Sequence, residues 1–155
     1  MKKIKPYHGA GLLLWTKVET NVFVLLGKRS VHSGMGKWSI PGGKWDLIQD
    51  LYDKDGKPNY LKTALRETKE EIKLILKEDE DIIKLYSSRI PFFHFVVYAH
   101  QADHRIVCKH NHEFSEVGWF AVDTLPSPLE FFVMMQVSSL VSKIANKEWL
   151  WRWDV

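Results

Sequence analysis

Apolar and polar positions fall into blocks along this chain. Gly11 to Val18 and Asn21 to Leu26 are rich in Val, Leu and Phe, with Glu19-Thr20-Asn21 between them, and this pattern predicts a strand hairpin. Gly27 to Lys37 reads as a loop because Gly27, Gly34 and Gly36 alternate with polar residues. Trp38-Ser39-Ile40 predicts a short strand that stops at Pro41-Gly42-Gly43, where backbone without side chains can approach a ligand closely. Residues 44 to 59 are polar, with a strong turn signal at Asp53-Lys54-Asp55-Gly56-Lys57-Pro58-Asn59.

Asn59 is placed to cap a helix running from about Tyr60 to Leu76. At about 100° per residue, Leu61, Leu65, Thr68 and Ile72 make one stripe of that helix and Glu67, Glu70 and Glu71 a neighbouring one. Ser88-Arg89-Ile90-Pro91 leads into Phe92 to Ala99, an aromatic and β-branched strand. Glu116 to Val122 predicts a further strand, and Pro128 to Lys147 a second amphipathic helix. Strands interrupted by one helix and closed by another predict an α/β arrangement with a mixed sheet. At 155 residues the whole chain, 1–155, is expected to form one domain.

Composition narrows the partners. Apolar residues make up 45% and charged residues 26%, ordinary for a soluble globular protein. A net charge of +3 with no basic block argues against nucleic acid as a partner. The acidic run Glu78-Asp79-Glu80-Asp81 reads as a solvated loop. Cys108 is the single cysteine, which excludes an internal disulfide and fits a reducing cytoplasm. The N-terminus lacks the apolar run of a leader, and no stretch approaches the roughly 20 apolar residues that span a bilayer.

The chemistry concentrates in Arg66-Glu67-Thr68-Lys69-Glu70-Glu71. Glu67, Glu70 and Glu71 stand at i, i+3 and i+4 of the predicted helix, so three carboxylates are expected on one face. Like charges so close repel unless a cation sits among them. A hard divalent ion, Mg²⁺ or Mn²⁺, with oxygen ligands shared between protein and substrate phosphates is the natural partner.

Arg66-Glu67-Thr68-Lys69-Glu70-Glu71, together with Trp38-Ser39-Ile40-Pro41-Gly42-Gly43-Lys44, resembles the signature of the Nudix hydrolases. That signature is a glycine, five residues, a glutamate, seven residues, then Arg-Glu-x-x-Glu-Glu-x-Gly. Glu116-Val117-Gly118-Trp119-Phe120 followed by Asp123-Thr124-Leu125-Pro126 is similar to the family's closing strand and turn, so the resemblance spans about Gly11 to Pro126. It implies a Nudix-like α/β/α sandwich with a mixed central sheet. It also implies metal held by Glu67, Glu70 and Glu71 and by the Gly42 carbonyl, and the same helix acids as candidates for catalysis. Arg66 is expected to pin the loop by pairing with a carboxylate. Glu113 and Glu116 are further candidates for the general base.

The chain departs from the pattern in three places. Residues 44 to 65 separate Gly43 from Arg66, twenty-two where the pattern allows thirteen, so nine are expected to loop out within Asp46 to Lys57, near the mouth of the site. Counting back from Arg66, the first glutamate of the pattern falls on Pro58, leaving Asp46 or Asp55 as substitutes. The final glycine is Lys73, where the helix is expected simply to continue.

Arg29, Gly43 and Glu116 are the substrate-binding candidates, with Lys28 beside Arg29 as a further phosphate contact. His100, His104, Cys108, His110 and His112 crowd together, yet their spacing matches no common zinc pattern and reads as a loop. Trp149, Trp151 and Trp153 alternate near the C-terminus and are expected to pack against the body or a homodimer partner. The expected activity is metal-dependent hydrolysis of a phosphoanhydride in a nucleoside diphosphate linked to another moiety or in a nucleoside triphosphate. The alternative is a catalytically inactive nucleotide-sensing or RNA-binding module on the same fold.

Overall fold

β1 (Tyr7–Val18) and β2 (Asn21–Arg29) form the expected antiparallel hairpin, with Trp15 opposite Val24 and Val18 opposite Asn21. The computed structural model describes residues 5–31, 34–78 and 80–153, with side chains described as far as residue 146. Trp149, Trp151 and Trp153, Asp79 of the acidic run and the first four residues therefore lie outside the described side chains.

β1 is long enough to serve three partners. Its second half holds β2, while Gly9–Gly11 pair antiparallel with β4 (Gly42–Lys44). Its other edge runs parallel to β6 (Phe93–Gln101), from Tyr7 beside Phe93 to Trp15 beside Gln101. β5 (Ile82–Ile90) lies antiparallel outside β6, β3 (Trp38–Ser39) extends the end of β2, and β7 (Phe114–Ala121) covers β2's far edge. One parallel pair among antiparallel ones makes the seven-stranded sheet mixed, as expected.

Alternation along the strands creates two cores. Leu13, Val24 and Leu26 face one side and meet Val133, Val137 and Leu140 of α3 (Val133–Trp153). Leu14 and Leu25 face the other side and meet Ile72 of α2 (Tyr60–Ile72). Leu12, Leu13 and Leu14 are all fully buried, the continuous apolar run that a sheet covered on both faces demands. The architecture is thus an α/β/α sandwich. Among the described residues no helix is long and apolar enough to cross a membrane.

Three elements are absent from the sequence pattern. β4 is built on Gly-Gly, which reads as a breaker but here lets two backbones close on each other. α1 (Leu47–Asp50) is only four residues long and is capped by Asp46, whose side chain accepts from the Ile48 and Gln49 N–H groups at 2.9 Å each. In β5 the pairing register shifts between Lys84 and Tyr86, which breaks the alternation that signals a strand.

α2 begins as expected, with the Asn59 side chain accepting from the Lys62 N–H. It does not continue through Lys73. The helix ends at Ile72, and Lys73 adopts a left-handed conformation (φ +59°, ψ 26°) while its N–H donates to the Lys69 carbonyl at 3.1 Å. This turn brings Leu74 back onto the second core. A side chain in this conformation costs about 1 kcal/mol that glycine avoids. Lys73→Gly is therefore expected to raise the unfolding free energy by about 1 kcal/mol, read as a higher urea midpoint with unchanged slope.

Candidate active site

The buried face of α2 comprises Thr63, Ala64, Glu67, Thr68, Glu71 and Ile72, while Leu61 and Leu65 are only half-buried. Two of the three acids therefore point inward. Glu67 and Glu71 are separated by about 40° around the helix, whereas Glu70 stands about 100° from Glu71. The expectation that all three converge on one face does not hold: Glu70 is exposed and lies 3.3 Å from Arg66 instead.

β4 explains how two acids are accommodated inside. A Cβ on Gly42 would meet the Ala10 carbonyl and Gly11 Cα at 2.8 Å, and one on Gly43 would collide with the Glu67 carboxylate. Only glycine lets this strand lie against both β1 and α2. The Gly42 N–H donates to Glu71 Oε2 at 2.7 Å, so Gly42 is tied to the acids through its amide. Glu71 Oε1 is buried without a hydrogen-bond partner.

A third carboxylate arrives from the segment before β7. The Asn111 N–H donates to the Glu71 carbonyl at 3.0 Å, the Asn111 side chain accepts from the Glu113 N–H at 2.9 Å, and Ser30 N–H donates to the Glu113 carbonyl at 2.8 Å. Carboxylate oxygens of Glu67, Glu71 and Glu113 all lie within 4.8 Å of one another. Among the described residues no other set of acids, histidines and cysteine comes together in this way, and the His100–His112 cluster does not.

The electrostatics follow. Burial, the neighbouring Glu113 carboxyl and the Glu67 charge push Glu71 up to about 10, against the Gly42 N–H that favours its ionised form. Burial also raises Glu67, with Glu70 and Glu113 adding to it and Arg66 opposing. Glu71 therefore holds a proton at neutral pH unless a positive charge joins it, and Glu67 is biased in the same direction. An all-oxygen donor set with an unpartnered buried oxygen fits a hard divalent cation.

Arg66 fans out over the same region. Its Nε and Nη2 donate to the two oxygens of Asp50 at 2.8 and 2.9 Å, Nη2 also reaches the Lys44 carbonyl at 2.9 Å, and Nη1 reaches Glu67 at 3.1 Å. Arg66 thus pins the loop through a carboxylate, as expected, but the carboxylate is neither Asp46 nor Asp55. Asp46 caps α1, and Asp55 is exposed on the turn. Asp50 is 1% exposed and also accepts from Thr63 Oγ1 and the Asp46 N–H at 2.9 Å each. Burial would raise its pKa, but the Arg66 guanidinium and these donors win and hold it below the usual range.

Counting forward from Gly43 lands on Gln49, one residue short of Asp50, where counting back from Arg66 lands on Pro58. Five residues after Gly43 end at Ile48, and Gln49 and Asp50 follow. The extra residues therefore loop out after Asp50. The loop closes on itself, with Asn59 N–H donating to the Leu51 carbonyl at 3.0 Å and Asp53 N–H to Lys57 at 2.7 Å. It does not stand at the mouth of the cavity described next, whose wall includes no residue from 44 to 59.

That cavity, about 450 Å³, opens beside Gly42 and Gly43 and is also lined by Tyr7 and Arg29. Burial, with the Glu67 charge adding to it, raises the Tyr7 pKa. Arg29 Nε is buried without a partner. Arg29 and Gly43 are thus brought together at the cavity. Glu116 is not: it is exposed on β7 opposite Lys28, outside both the cavity wall and the acidic cluster.

A glutamate-rich helix beneath a Pro-Gly-Gly turn, with its arginine clamped to an upstream carboxylate, defines an α/β/α protein with an acidic centre. The NUDIX domain family model matches residues 7–135, and the chain belongs to that family. The fold is similar to the NUDIX domain of Shewanella oneidensis NrtR complexed with ADP ribose, at 21% identity over 90% of this chain and 88% of that one, with a TM-score of 0.69. It is also similar to a C. elegans Ap4A hydrolase (17% identity, 90% and 98% covered, TM-score 0.67). A MutT NUDIX hydrolase from Burkholderia pseudomallei gives 24% identity, 87% and 98% covered, and a TM-score of 0.63. No curated protein matches the chain.

Removing the charge of Asp50 leaves the Arg66 guanidinium without its main partner. Asp50→Asn is expected to cost about 3 kcal/mol in urea denaturation, whereas Asp55→Asn should stay within about 0.5 kcal/mol of the parent.

Proposed function

We propose that this chain hydrolyses a phosphoanhydride bond of a nucleotide-type substrate with the help of Mg²⁺ or Mn²⁺. The substrate is a nucleoside triphosphate or a nucleoside diphosphate linked to another moiety. The observation that carries the reading is the approach of Glu67, Glu71 and Glu113 within 4.8 Å around a buried, unpartnered Glu71 oxygen.

In this reading Glu67, Glu71 and Glu113 would hold the ion, with the Gly42–Gly43 backbone beside them. When bound, the ion would neutralise phosphate oxygens and make a water more acidic. Hydrolysis adds the oxygen of a water to phosphorus and breaks the bridging P–O bond, leaving two phosphorylated products. The motif acids supply the base that takes the water's proton. Arg66 is a positioning residue: its pairs with Asp50 and the Lys44 carbonyl fix the strand-to-helix connection, and it steadies Glu67 and Glu70. Arg29, whose side chain lines the cavity, is the candidate to bind the substrate.

Glu71→Gln keeps the shape and removes a charge. It is expected to lower kcat/KM on the best substrate of a nucleotide panel by a hundredfold or more (order of magnitude,). Glu70→Gln, on the exposed side, should lose less than about tenfold. Wild-type rates in Glu71→Gln with Mg²⁺ would sink the assignment.

A sensor and an enzyme separate in a second experiment. Without a cation the cluster offers a phosphate no positive charge, so calorimetry is expected to show nucleotide affinity rising when Mg²⁺ is added and falling on chelation. Chromatography of the same mixtures should then show cleaved product. Every ligand recovered whole after metal-dependent binding would mark a sensor instead.

A further inference from the structure

We propose that His8, Tyr60, His94 and Ser87 form an acid-operated latch on the first turn of α2. The chain of hydrogen bonds accommodates one added proton and is broken by a second.

The register of the sheet sets the latch up. His8 on β1 stands beside His94 on β6 in the parallel pair, and their ring centroids are 6.3 Å apart. Tyr60, the first residue of α2, puts its hydroxyl between them, 2.8 Å from His8 Nδ1 and 3.0 Å from His94 Nδ1. His94 Nε2 carries the chain on to Ser87 Oγ of β5, also at 3.0 Å. The three rings are half-buried, and Ser87 is exposed. One turn of helix is thereby fastened to three strands.

What precedes Tyr60 gives the position its consequence. The Asn59 side chain caps α2, and the Asn59 N–H closes the loop after Asp50 onto the Leu51 carbonyl. Arg66 and Asp50 hold α2 further along. Release at Tyr60 therefore frees the first turn and the closing end of the loop, while the clamp keeps the rest of the helix in place.

Counting protons shows how release is triggered. A neutral imidazole has one N–H and one acceptor nitrogen, a cationic one has two N–H groups, and a phenol has one proton to give. With both histidines neutral, the Tyr60 hydroxyl donates to one Nδ1 and accepts from the other. The Ser87 hydroxyl fits either tautomer of His94, since it donates or accepts. One added proton on His94 makes both its nitrogens donors, to Tyr60 and Ser87, and the phenol proton turns to His8. One added proton on His8 is accommodated by the mirror arrangement, with the phenol donating to His94. A second proton has no place. Both Nδ1–H groups then aim at one oxygen, the phenol proton loses its acceptor in the chain, and two cations face each other.

The surroundings oppose protonation as well. Arg89 and Lys84 of β5 and Lys57 of the loop act on this cluster, with Asp53 of the loop as the acid among them and Tyr98 of β6 as a further phenol. Burial holds His94 below the usual histidine range, and the charges of Arg89, His8, Lys84 and Lys57 lower it further. Burial raises Tyr60 and Tyr98, so both phenols keep their protons. A histidine lowered in the closed state takes up its proton more readily once the latch is open. The closed state is thus fully favoured above the ordinary histidine value of about 6.5 and loses ground as pH falls below it.

The test follows amide hydrogen exchange by NMR in the full chain without metal, at about pH 7.5 and about pH 5, on either side of the ordinary histidine value. Rates are corrected for the intrinsic pH dependence of exchange. The Asn59 and Thr63 N–H groups, bonded to the Leu51 and Asn59 carbonyls, report the latch, and the Lys73 N–H, bonded to the Lys69 carbonyl, reports the far end of α2. Protection at Asn59 and Thr63 should fall about tenfold or more at the lower pH, while Lys73 changes less than about threefold. Tyr60→Phe keeps the ring and removes the hydroxyl, so the same two amides should be weakly protected at both pH values. His94→Asn keeps a donor and an acceptor and cannot take up a proton, so protection should stay high in acid. His8→Asn decides the matter if His94→Asn does not fold. Equal protection at both pH values in the parent, or a parent-like acid loss in Tyr60→Phe, overturns the latch. So does an acid loss at Asn59 and Thr63 that the folded asparagine variant leaves unchanged.

Discussion

Two carboxylates buried one helical turn apart constrain much of this structure. Glu67 and Glu71 face inward from α2, where desolvation disfavours their charge by several kcal/mol each. The surroundings are arranged around that cost. Gly42 and Gly43 carry no side chains, so their strand closes on the acids and donates an N–H to one of them. Arg66 leans toward Glu67 from the same helix. Glu113 adds a third acid, which intensifies the repulsion when no cation is present. Stability alone is poorly served by such an arrangement, and a cation among the carboxylates would relieve it.

The arginine clamp solves a different problem. The chain must cross from β4 to α2 through a connection longer than the family pattern allows, and a loop of that length would let the helix drift relative to Gly42–Gly43. Asp50 prevents this. It accepts four hydrogen bonds, two from Arg66, one from Thr63 and one from its own helix cap at Asp46. The extra residues then loop out beyond that anchor and close on themselves through Leu51 and Asn59, so their length is not felt at the site. The tilted contact of the Trp45 and Tyr52 rings and the Trp45 Nε1 bond to the Leu51 carbonyl hold the base of the loop on the near side of the clamp.

Local signals were legible in the sequence and distant ones were not. Asn59 and the 3.6-residue period place α2, and the Val- and Leu-rich runs place the hairpin, because capping and alternation act within a few residues. The Glu70 position shows where that reasoning stops: the i, i+3, i+4 spacing groups three acids, but which side of the group faces the sheet depends on packing against β4. Asp50 was missed because it stands one residue beyond the position that the pattern's spacing reaches from Gly43 and well before the one counted back from Arg66. Glu113 was visible only as one acid among several, since the contact that delivers it joins Asn111 to Glu71 across forty residues of chain. The cavity has no local signature at all. Its wall draws on β1, β2, β3, β4, β6 and the start of α3, and only the folded sheet brings Tyr7, Ser39, Phe93 and Gln136 together.

The two halves of the candidate site meet at the Gly42–Gly43 peptide, and this determines how each half can vary. A Cβ on either glycine would strike β1 or the Glu67 carboxylate, so the joint tolerates no side chain and sets a fixed distance between acids and cavity. The acids are equally fixed, because an altered charge there changes the balance that Arg66 and Gly42 maintain. The far wall is different. Phe132 and Gln136 belong to the start of α3, which joins the site from the opposite layer of the sandwich and makes no contact with the acidic helix that the described hydrogen bonds record. The fold thus separates the buried carboxylates from the far wall of the cavity, with two glycines at the joint between them.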